Sequence, residues 1–451
     1  MQVNEVKQVN TKDVIICGMA LFAIFFGAGN LIFPPYLGIL SGDRWFTAMF
    51  GFLLSDPFLP VLGVIATARL GGRADDLGKR VSPGFAKLIG TLAILIIGPI
   101  LAVPRTSATT HEIFIQPMFP NIPIYVTSIV FFALTLFIIL NPGKVMDIIG
   151  QYLTPVLLLV LAAIIIKSII APPGAFIKTD TPDMFRRSFL EGYQTMDALG
   201  ASLMSGIVLS DLIRRGYKDP NLQLKANVQI GIVAFILLAL VYGGLTFAGA
   251  TVSEFFTPEN TRVEILLGMT GKLLGKPGQT LIGLAVALAC LTTSTGLLST
   301  CGDFFDRISN GKLAYKKVVI VATIVSFAFS IKGVEGIINM AVPILLAIFP
   351  VVIALIIFSM FDTVIKYDMT YIGAVIGALF ISIPQAINAL VASFGGSALQ
   401  GVVDWGKTLP LAAIGFEWLL PSIISAVIFT LIASLGHVGK TREDHMKEEQ
   451  N

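Results

Sequence analysis

Phe25-Phe26-Gly27-Ala28-Gly29-Asn30-Leu31-Ile32-Phe33-Pro34-Pro35 decides how this chain is read. The stretch lies inside an apolar run, near 13–39, that is long enough to cross a bilayer, yet it holds two glycines, an asparagine and a proline pair. A spanning helix satisfies its backbone groups internally, and unwound backbone persists at membrane depth only where it is buried in protein or lines a cavity. Amides freed at the start of a half-helix attract anions, and carbonyls freed at the end of one attract cations. An interrupted first membrane helix therefore predicts a site for a charged small solute and an ion.

Composition extends this reading to the whole chain. Of its 451 residues 55% are hydrophobic and 13% charged, where a soluble domain carries about a quarter charged residues. The expectation is an all-α polytopic membrane protein with no aqueous domain, because the longest polar stretches are the ends, Met1 to Lys12 and Gly439 to Asn451. No short apolar segment with a cleavage site opens the chain, so the first span itself is expected to target it. The net charge of +3 is spread through short loops, whereas a nucleic-acid binder concentrates basic residues on one face. Cys17, Cys290 and Cys301 are odd in number and lack metal spacing; they read as buried small residues.

Apolar runs of about 20 residues mark spans. Twelve are expected, near 13–39, 45–68, 86–110, 122–140, 146–170, 190–210, 227–251, 279–301, 317–332, 336–360, 369–392 and 411–435. The loops that fall on the side of the N-terminus carry twice as many lysines and arginines as the others, which places both termini in the cytoplasm. Interrupted helices tend to occur once in each half of an inverted repeat. Tyr193-Gln194-Thr195-Met196-Asp197-Ala198-Leu199-Gly200-Ala201-Ser202 supplies the second candidate, in span six. Spans 1–5 and 6–10 then form a five-plus-five inverted repeat with spans eleven and twelve peripheral. The divisions are a cytoplasmic tail over 1–12, a first repeat over 13–170, a second over 190–360, peripheral spans over 369–435 and a cytoplasmic tail over 436–451.

Span eight carries Ala289-Cys290-Leu291-Thr292-Thr293-Ser294-Thr295-Gly296-Leu297-Leu298-Ser299-Thr300. Uncharged hydroxyl and carbonyl oxygens suit a desolvated monovalent cation, whereas a hard divalent ion wants carboxylates. The competing reading is that such hydroxyls bond back to their own helix or join helices together. Asp197 is an ionisable group near mid-membrane, costly unless paired or wet. It could bind a substrate ammonium, ligate an ion or carry a proton; the structural alternative pairs it with Arg105 or Lys167. Asp56, followed by Pro57, reads as capping a kink in span two. Arg105, His111 and Glu112 read as an interfacial ion-pair group at the outer end of span three. Phe25, Phe26, Met196 and Leu199, beside the interruptions, could shape a pocket for an aliphatic side chain.

Phe26 to Pro35, Leu37-Gly38, Gly98-Pro99, Val103-Pro104-Arg105-Thr106 and the Thr-Thr-Ser-Thr run resemble the branched-chain amino acid:cation symporter family of bacteria. The resemblance implies a five-plus-five leucine-transporter fold and import of leucine, isoleucine and valine with sodium or, in some members, protons. It implies that the backbone around Phe26, Gly27, Ala28, Gly29 and Asn30 holds the substrate carboxylate. It further implies a sodium site built from the carbonyls of Ala23, Phe26 and Ala289 and the hydroxyls of Thr292 and Thr293. Gln194, Thr195 and Asp197 of span six would then take the ammonium. Register beyond Asn30 departs from the wider fold by one residue.

The expected function is sodium-coupled import of branched-chain amino acids across a bacterial cell membrane. The alternative is proton-coupled transport of another neutral amino acid or small zwitterion. The expected partners are the amino acid, sodium or a proton, and the lipid bilayer, with no nucleic acid, obligate protein partner or covalent cofactor. A phosphate-binding GxxxxGK[ST] motif is absent, so the ion gradient is expected to supply the work. A membrane aspartyl protease would need two carboxylates in close contact, and Asp197 and Asp303 are expected at different depths. A channel would show repeated pore helices or a selectivity sequence. Both classes are therefore disfavoured.

Overall fold

The computed structural model describes residues 9–72, 76–140, 145–436, 439–442 and 444, and gives only the backbone for 28 and 145–156. The expected tail 1–12 is thus described from Val9 onward, and Arg73, Lys144, His437, His445 and the side chain of Ala28 lie outside the described residues. In chain order the helices are α1 (Thr11–Phe25), α2 (Phe33–Ser41), α3 (Trp45–Leu53), α4 (Leu59–Arg69), α5 (Pro83–Leu95), α6 (Ala102–Thr110), α7 (Gln116–Met118), α8 (Ile124–Leu140) and α9 (Val145–Ile170). There follow α10 (Met184–Gly192), α11 (Asp197–Arg214), α12 (Pro220–Ala250), α13 (Arg262–Ile308), α14 (Tyr315–Ser330), α15 (Gly333–Met360), α16 (Asp368–Ala392), α17 (Gln400–Lys407) and α18 (Leu419–Gly436). Among the described residues there is no strand, only an isolated bridge between Tyr367 and Thr441.

Local chemistry sets the helix starts. Asn10 caps α1 by accepting from the Lys12 amide at 2.9 Å. Ser82 caps α5 at Phe85, with Pro83 in the first turn. Thr261 and Glu264 cap each other's backbone at the start of α13. Each cap satisfies an amide that has no partner within its helix, for about 1 kcal/mol.

Five interruptions matter more than the helices they separate. After α1, Phe26 leaves helical geometry, Gly27 is extended, and Ala28–Leu31 forms a tight 3₁₀ turn. Pro34 and Pro35 sit in the first turn of α2, where a missing N–H costs no helical bond. Between α3 and α4, Asp56 is extended (φ −147°, ψ 114°) ahead of Pro57. Between α5 and α6, Gly98 departs (φ −88°, ψ −115°) ahead of Pro99. Met196 takes the left-handed conformation (φ 65°) where α10 meets α11, and the two bend by 49°. Within α13, Gly275 (φ 71°, ψ −171°) joins an amphipathic first arm to the long apolar second arm. The reading from sequence identified the first and fourth of these and treated spans two and three as continuous apart from a kink.

Seven helical stretches of the described residues are long and apolar enough to cross a bilayer, and the bent pair α10–α11 makes an eighth. The expected fourth and ninth spans are the shorter helices α8 and α14, of 17 and 16 residues. The last span begins at Leu419 rather than near 411, because Leu411 and Gly415 are left-handed and hold a 3₁₀ turn between them.

Small residues bring the helices close, as packing in lipid requires. A Cβ added at Gly38 of α2 would strike the Thr246 carbonyl of α12, and one at Gly249 would lie 2.7 Å from the Pro35 Cα. Gly373 and Gly377 of α16 meet the backbone of α18 in the same way. Phe137, Leu240, Ile324 and Phe380 are exposed on the outside of the bundle, the belt that lipid covers in a membrane. Cys17, Cys290 and Cys301 are all buried and unpaired, as expected.

Candidate substrate and ion site

The turn Ala28–Leu31, the bend Leu54–Phe58 and the turn Tyr193–Thr195 converge, with α6 and α13 packed on the first of them. Asn30 stands at the meeting point. It is 2% exposed. Its Nδ2 faces the Phe25 carbonyl at 3.0 Å, Asp197 Oδ2 at 2.6 Å, the Tyr242 hydroxyl at 2.8 Å and Asp56 Oδ2 at 3.5 Å. An amide has two N–H groups, so these four oxygens compete for them. One side chain thus ties the end of α1 to carboxyl groups of the α3–α4 bend and of α11.

Arg105 of α6 closes the other side. Its Nη1 donates to the Gln194 carbonyl at 2.6 Å, its guanidinium carbon lies 5.5 Å from the centre of the Phe33 ring, and it crowds Gly29 so closely that a Cβ there would collide with it. Glycine at 29 is therefore what admits the guanidinium to the interruption. Asp197 is a charge neighbour of Arg105. Lys167 is exposed near the end of α9 and is not its partner. Arg105 is buried in the site rather than placed at an outer interface; His111 instead meets Thr127 at 2.9 Å, and Glu112 accepts the Val334 amide at 2.8 Å.

A cavity opens between these groups. Its polar wall is Gly27, Gly29, Asn30, Arg105, Thr106, Thr109, Thr195, Asp197 and Thr293, and its apolar wall includes Ile24, Phe25, Ile97, Met196, Met204 and Leu297. Of the residues expected to bind substrate, Gly27, Gly29, Asn30, Thr195 and Asp197 line this space. Gln194 reaches it through the carbonyl that Arg105 holds, and the residue also borders a separate cavity beside Arg186 and Glu191. Phe26 points away, stacked on Phe22 (5.1 Å) and Tyr242 (6.2 Å), and Leu199 is buried behind the wall. The Gly27 amide, an expected anion donor, closes a tight turn onto the Phe25 carbonyl at 2.8 Å.

The expected ion ligands are less closely gathered. Thr293 lines the cavity, and the turn carrying Ala28 packs on α13. The Thr292 hydroxyl donates to the Ala289 carbonyl at 2.9 Å, so two expected ligands satisfy each other, and Ala23 is exposed. Residues that the sequence reading left without a binding role are Asp56, Arg105, Thr109 and Tyr242. The first two had a signal: an Asp and an Arg within apolar runs, where ionisable groups mark function by default.

Two charged clusters flank the site. On one side Arg262 pairs with Glu191 at 2.5 Å and Glu335 at 2.6 Å and lies 4.2 Å from the centre of the Tyr36 ring and 5.7 Å from that of Phe33. On the other, Arg215 pairs with Asp13 and Asp211, both at 2.9 Å, and Tyr217 donates to Asp13 at 2.8 Å.

A helical bundle with interrupted helices meeting at a cavity lined by both a guanidinium and a carboxyl defines a membrane transporter. Solved structures agree on the fold. The nucleobase-cation-symport-1 transporter Mhp1 in its inward-facing form superposes with a TM-score of 0.60 at 11% identity, over 96% of each chain. MhsT in complex with L-phenylalanine gives 0.50 at 16% identity, over 95% of this chain and 99% of that one. The family model described as branched-chain amino acid transport protein matches residues 10–435, and the chain belongs to that family. The branched-chain amino acid permease BraB of Bacillus subtilis is 37% identical, covering 92% of this chain and 94% of the relative. The branched-chain amino acid transport system 2 carrier protein of Pseudomonas aeruginosa is 35% identical over 96% and 98%, and the permease BrnQ of Escherichia coli K12 is 31% identical over 93% and 95%. The protein is a multi-pass cell-membrane transport protein and not an enzyme.

Proposed function

We propose that the protein imports leucine, isoleucine and valine by symport with sodium. The observation that carries this is the composition of the cavity: its lining holds a guanidinium, a carboxyl and aliphatic side chains. A neutral amino acid has that pattern of charge. Its carboxylate would face Arg105 and the Gly29 backbone, its ammonium Asp197 and Thr195, and its side chain Ile97, Met204 and Leu297. Ala28 and the expected Gln194 contact complete the substrate set as read from the sequence. The names of the relatives, branched-chain amino acid permeases and carriers, support the choice of side chain.

Sodium would lie between the carbonyls of Ala23, Phe26 and Ala289 and the hydroxyls of Thr292 and Thr293, holding the interruption after α1 against α13. Each ligand would then raise the affinity of the other by the same factor. We further read the chain as twelve spans with both termini cytoplasmic, a five-plus-five inverted repeat over 13–170 and 190–360, and peripheral spans over 369–435. Alternating access would come from rocking of spans 1, 2, 6 and 7 against the rest. Proton coupling is the second reading, favoured by the ionisable Asp197 carboxyl in the cavity lining.

Uptake of labelled leucine, isoleucine, valine and glutamate into proteoliposomes tests both readings. Accumulation of the aliphatic three with an inward sodium gradient alone is the expected result. Accumulation with a proton gradient alone selects the second reading, and no uptake under any gradient removes the substrate assignment. Replacing Thr292 and Thr293 together by Ala is expected to abolish sodium-driven accumulation in a protein that still folds. Unchanged sodium dependence there would remove the α13 site.

A further inference from the structure

Asp56 is 1% exposed, in the bend between α3 and α4. Its Oδ1 has no hydrogen-bond partner, while the carboxyl lies within reach of the Thr195 hydroxyl and, at 3.5 Å from Oδ2, of the Asn30 amide. That amide is already drawn to Asp197 at 2.6 Å. The Asp56 and Asp197 side chains are within hydrogen-bonding reach of each other. Two carboxylates so placed repel, and a buried carboxylate with few donors is held only with a counter-charge or a proton. The other groups that face the pair are the Tyr242 hydroxyl of α12, the Thr195 hydroxyl and the Arg105 guanidinium of α6. Arg105 is the one cation among them, so the carboxyls outnumber it by one charge. A zwitterionic substrate adds no net charge and cannot correct the imbalance. One monovalent cation does.

We propose that Asp56 and Asp197, joined through Asn30, bind the single monovalent cation, sodium or proton, that travels with the substrate. The unpartnered Oδ1 of Asp56 supplies the vacant lone pairs. Asn30 supplies the coupling, because the amide that the two carboxyls share also holds the Phe25 carbonyl at the end of α1. When a cation satisfies the carboxyls, the amide is released to the α1 carbonyl and to Tyr242, and the interruption next to the substrate space is fixed. This rests on the transport reading for the substrate and moves the coupled cation from the α13 oxygens to the carboxyls, so the Thr292 and Thr293 variant tells the two placements apart; the cation site itself rests on Asp56, Asn30 and Asp197.

Thermal unfolding of the purified full-length protein without amino acid reads the cation site directly, since a ligand of the folded state raises its melting temperature. Two arms distinguish the source: sodium replaced by choline at fixed ionic strength, and lowered pH in choline. A cation-dependent shift is expected in one arm, together with a change in leucine Kd of about tenfold across the same titration. Asp56→Asn keeps the shape of the side chain and removes its charge. In it the thermal shift is expected to vanish and the change in Kd to fall to about twofold or less. A full cation-dependent shift in that variant overturns the proposal, as does a shift lost only when Thr292 and Thr293 are replaced by Ala. If Asp56→Asn does not elute as a single folded species, Asp56→Glu decides: a cation midpoint moved about threefold or more supports the site, and an unmoved midpoint overturns it. Failure of leucine uptake with the cation shift still lost in Asp56→Asn would remove the substrate reading and leave the cation site standing.

Discussion

The clusters at the two ends of the cavity use the same chemistry at different depths. The Arg262 side chain is 12% exposed, and its partners Glu191 and Glu335 are 15% and 29% exposed. Tyr36 and Phe33 of α2 shield it. The Arg215 side chain is 29% exposed, and one of its carboxylates, Asp211, belongs to its own helical turn. Ion pairs partly in water contribute about 0–1 kcal/mol, whereas removing one partner of a desolvated pair costs about 3–5 kcal/mol. The cavity follows the same asymmetry. Ile24, Met204 and Leu297 lie on the Arg215 side of the interruptions in α1, α11 and α13. The molecule is therefore bolted at the Arg262 end and only latched at the Arg215 end.

The largest effect is expected from Arg262→Ala, which strands the largely buried Glu191 and the partly exposed Glu335. A loss of about 3 kcal/mol in thermal or denaturant unfolding, with transport reduced by about tenfold or more, is the expected outcome. An exposed-pair value below about 1 kcal/mol would erase the contrast between the ends. Gly38→Ala comes next. The added methyl meets α12 backbone, so α2 must shift together with the two rings that cover Arg262, and overpacking of this kind costs about 1–3 kcal/mol. The smallest effect belongs to Arg215→Ala, at about 1 kcal/mol or less in stability. Raised salt should weaken the Arg215 cluster more than the Arg262 cluster, because screening acts on exposed charges. Coupling energies from double-mutant cycles, Arg215 with Asp13 against Arg262 with Glu191, rank the two ends in one experiment.

Much of this was legible in the sequence because backbone chemistry is local. Gly27, Gly29, Asn30 and the proline pair announce a broken helix by themselves, and so does the polar run from Gln194 to Asp197. What the sequence could not supply is which distant groups the broken ends meet. Asp56 reads as a kink residue until the fold sets it beside Asn30, 26 positions away. Arg105 reads as interfacial until α6 turns it onto Gly29 and the Gln194 carbonyl. Span edges failed for a related reason. Residues 411–418 are apolar but for Glu417 and suit a helix, yet left-handed Leu411 and Gly415 turn the chain before α18 begins.

The buried thiols turn the protein into its own reporter. Cys17 donates to Asp211 at 3.1 Å beside the latched end, Cys290 is buried on α13 near Arg105, and Cys301 sits farther along the same helix. All three are shielded in the arrangement described here. A thiol reagent therefore meets a nearly silent background, and a dye placed on one new cysteine would signal from one place. The native residues also keep time: the rate at which Cys17 or Cys290 becomes modified would clock how often each region opens, with no engineered label.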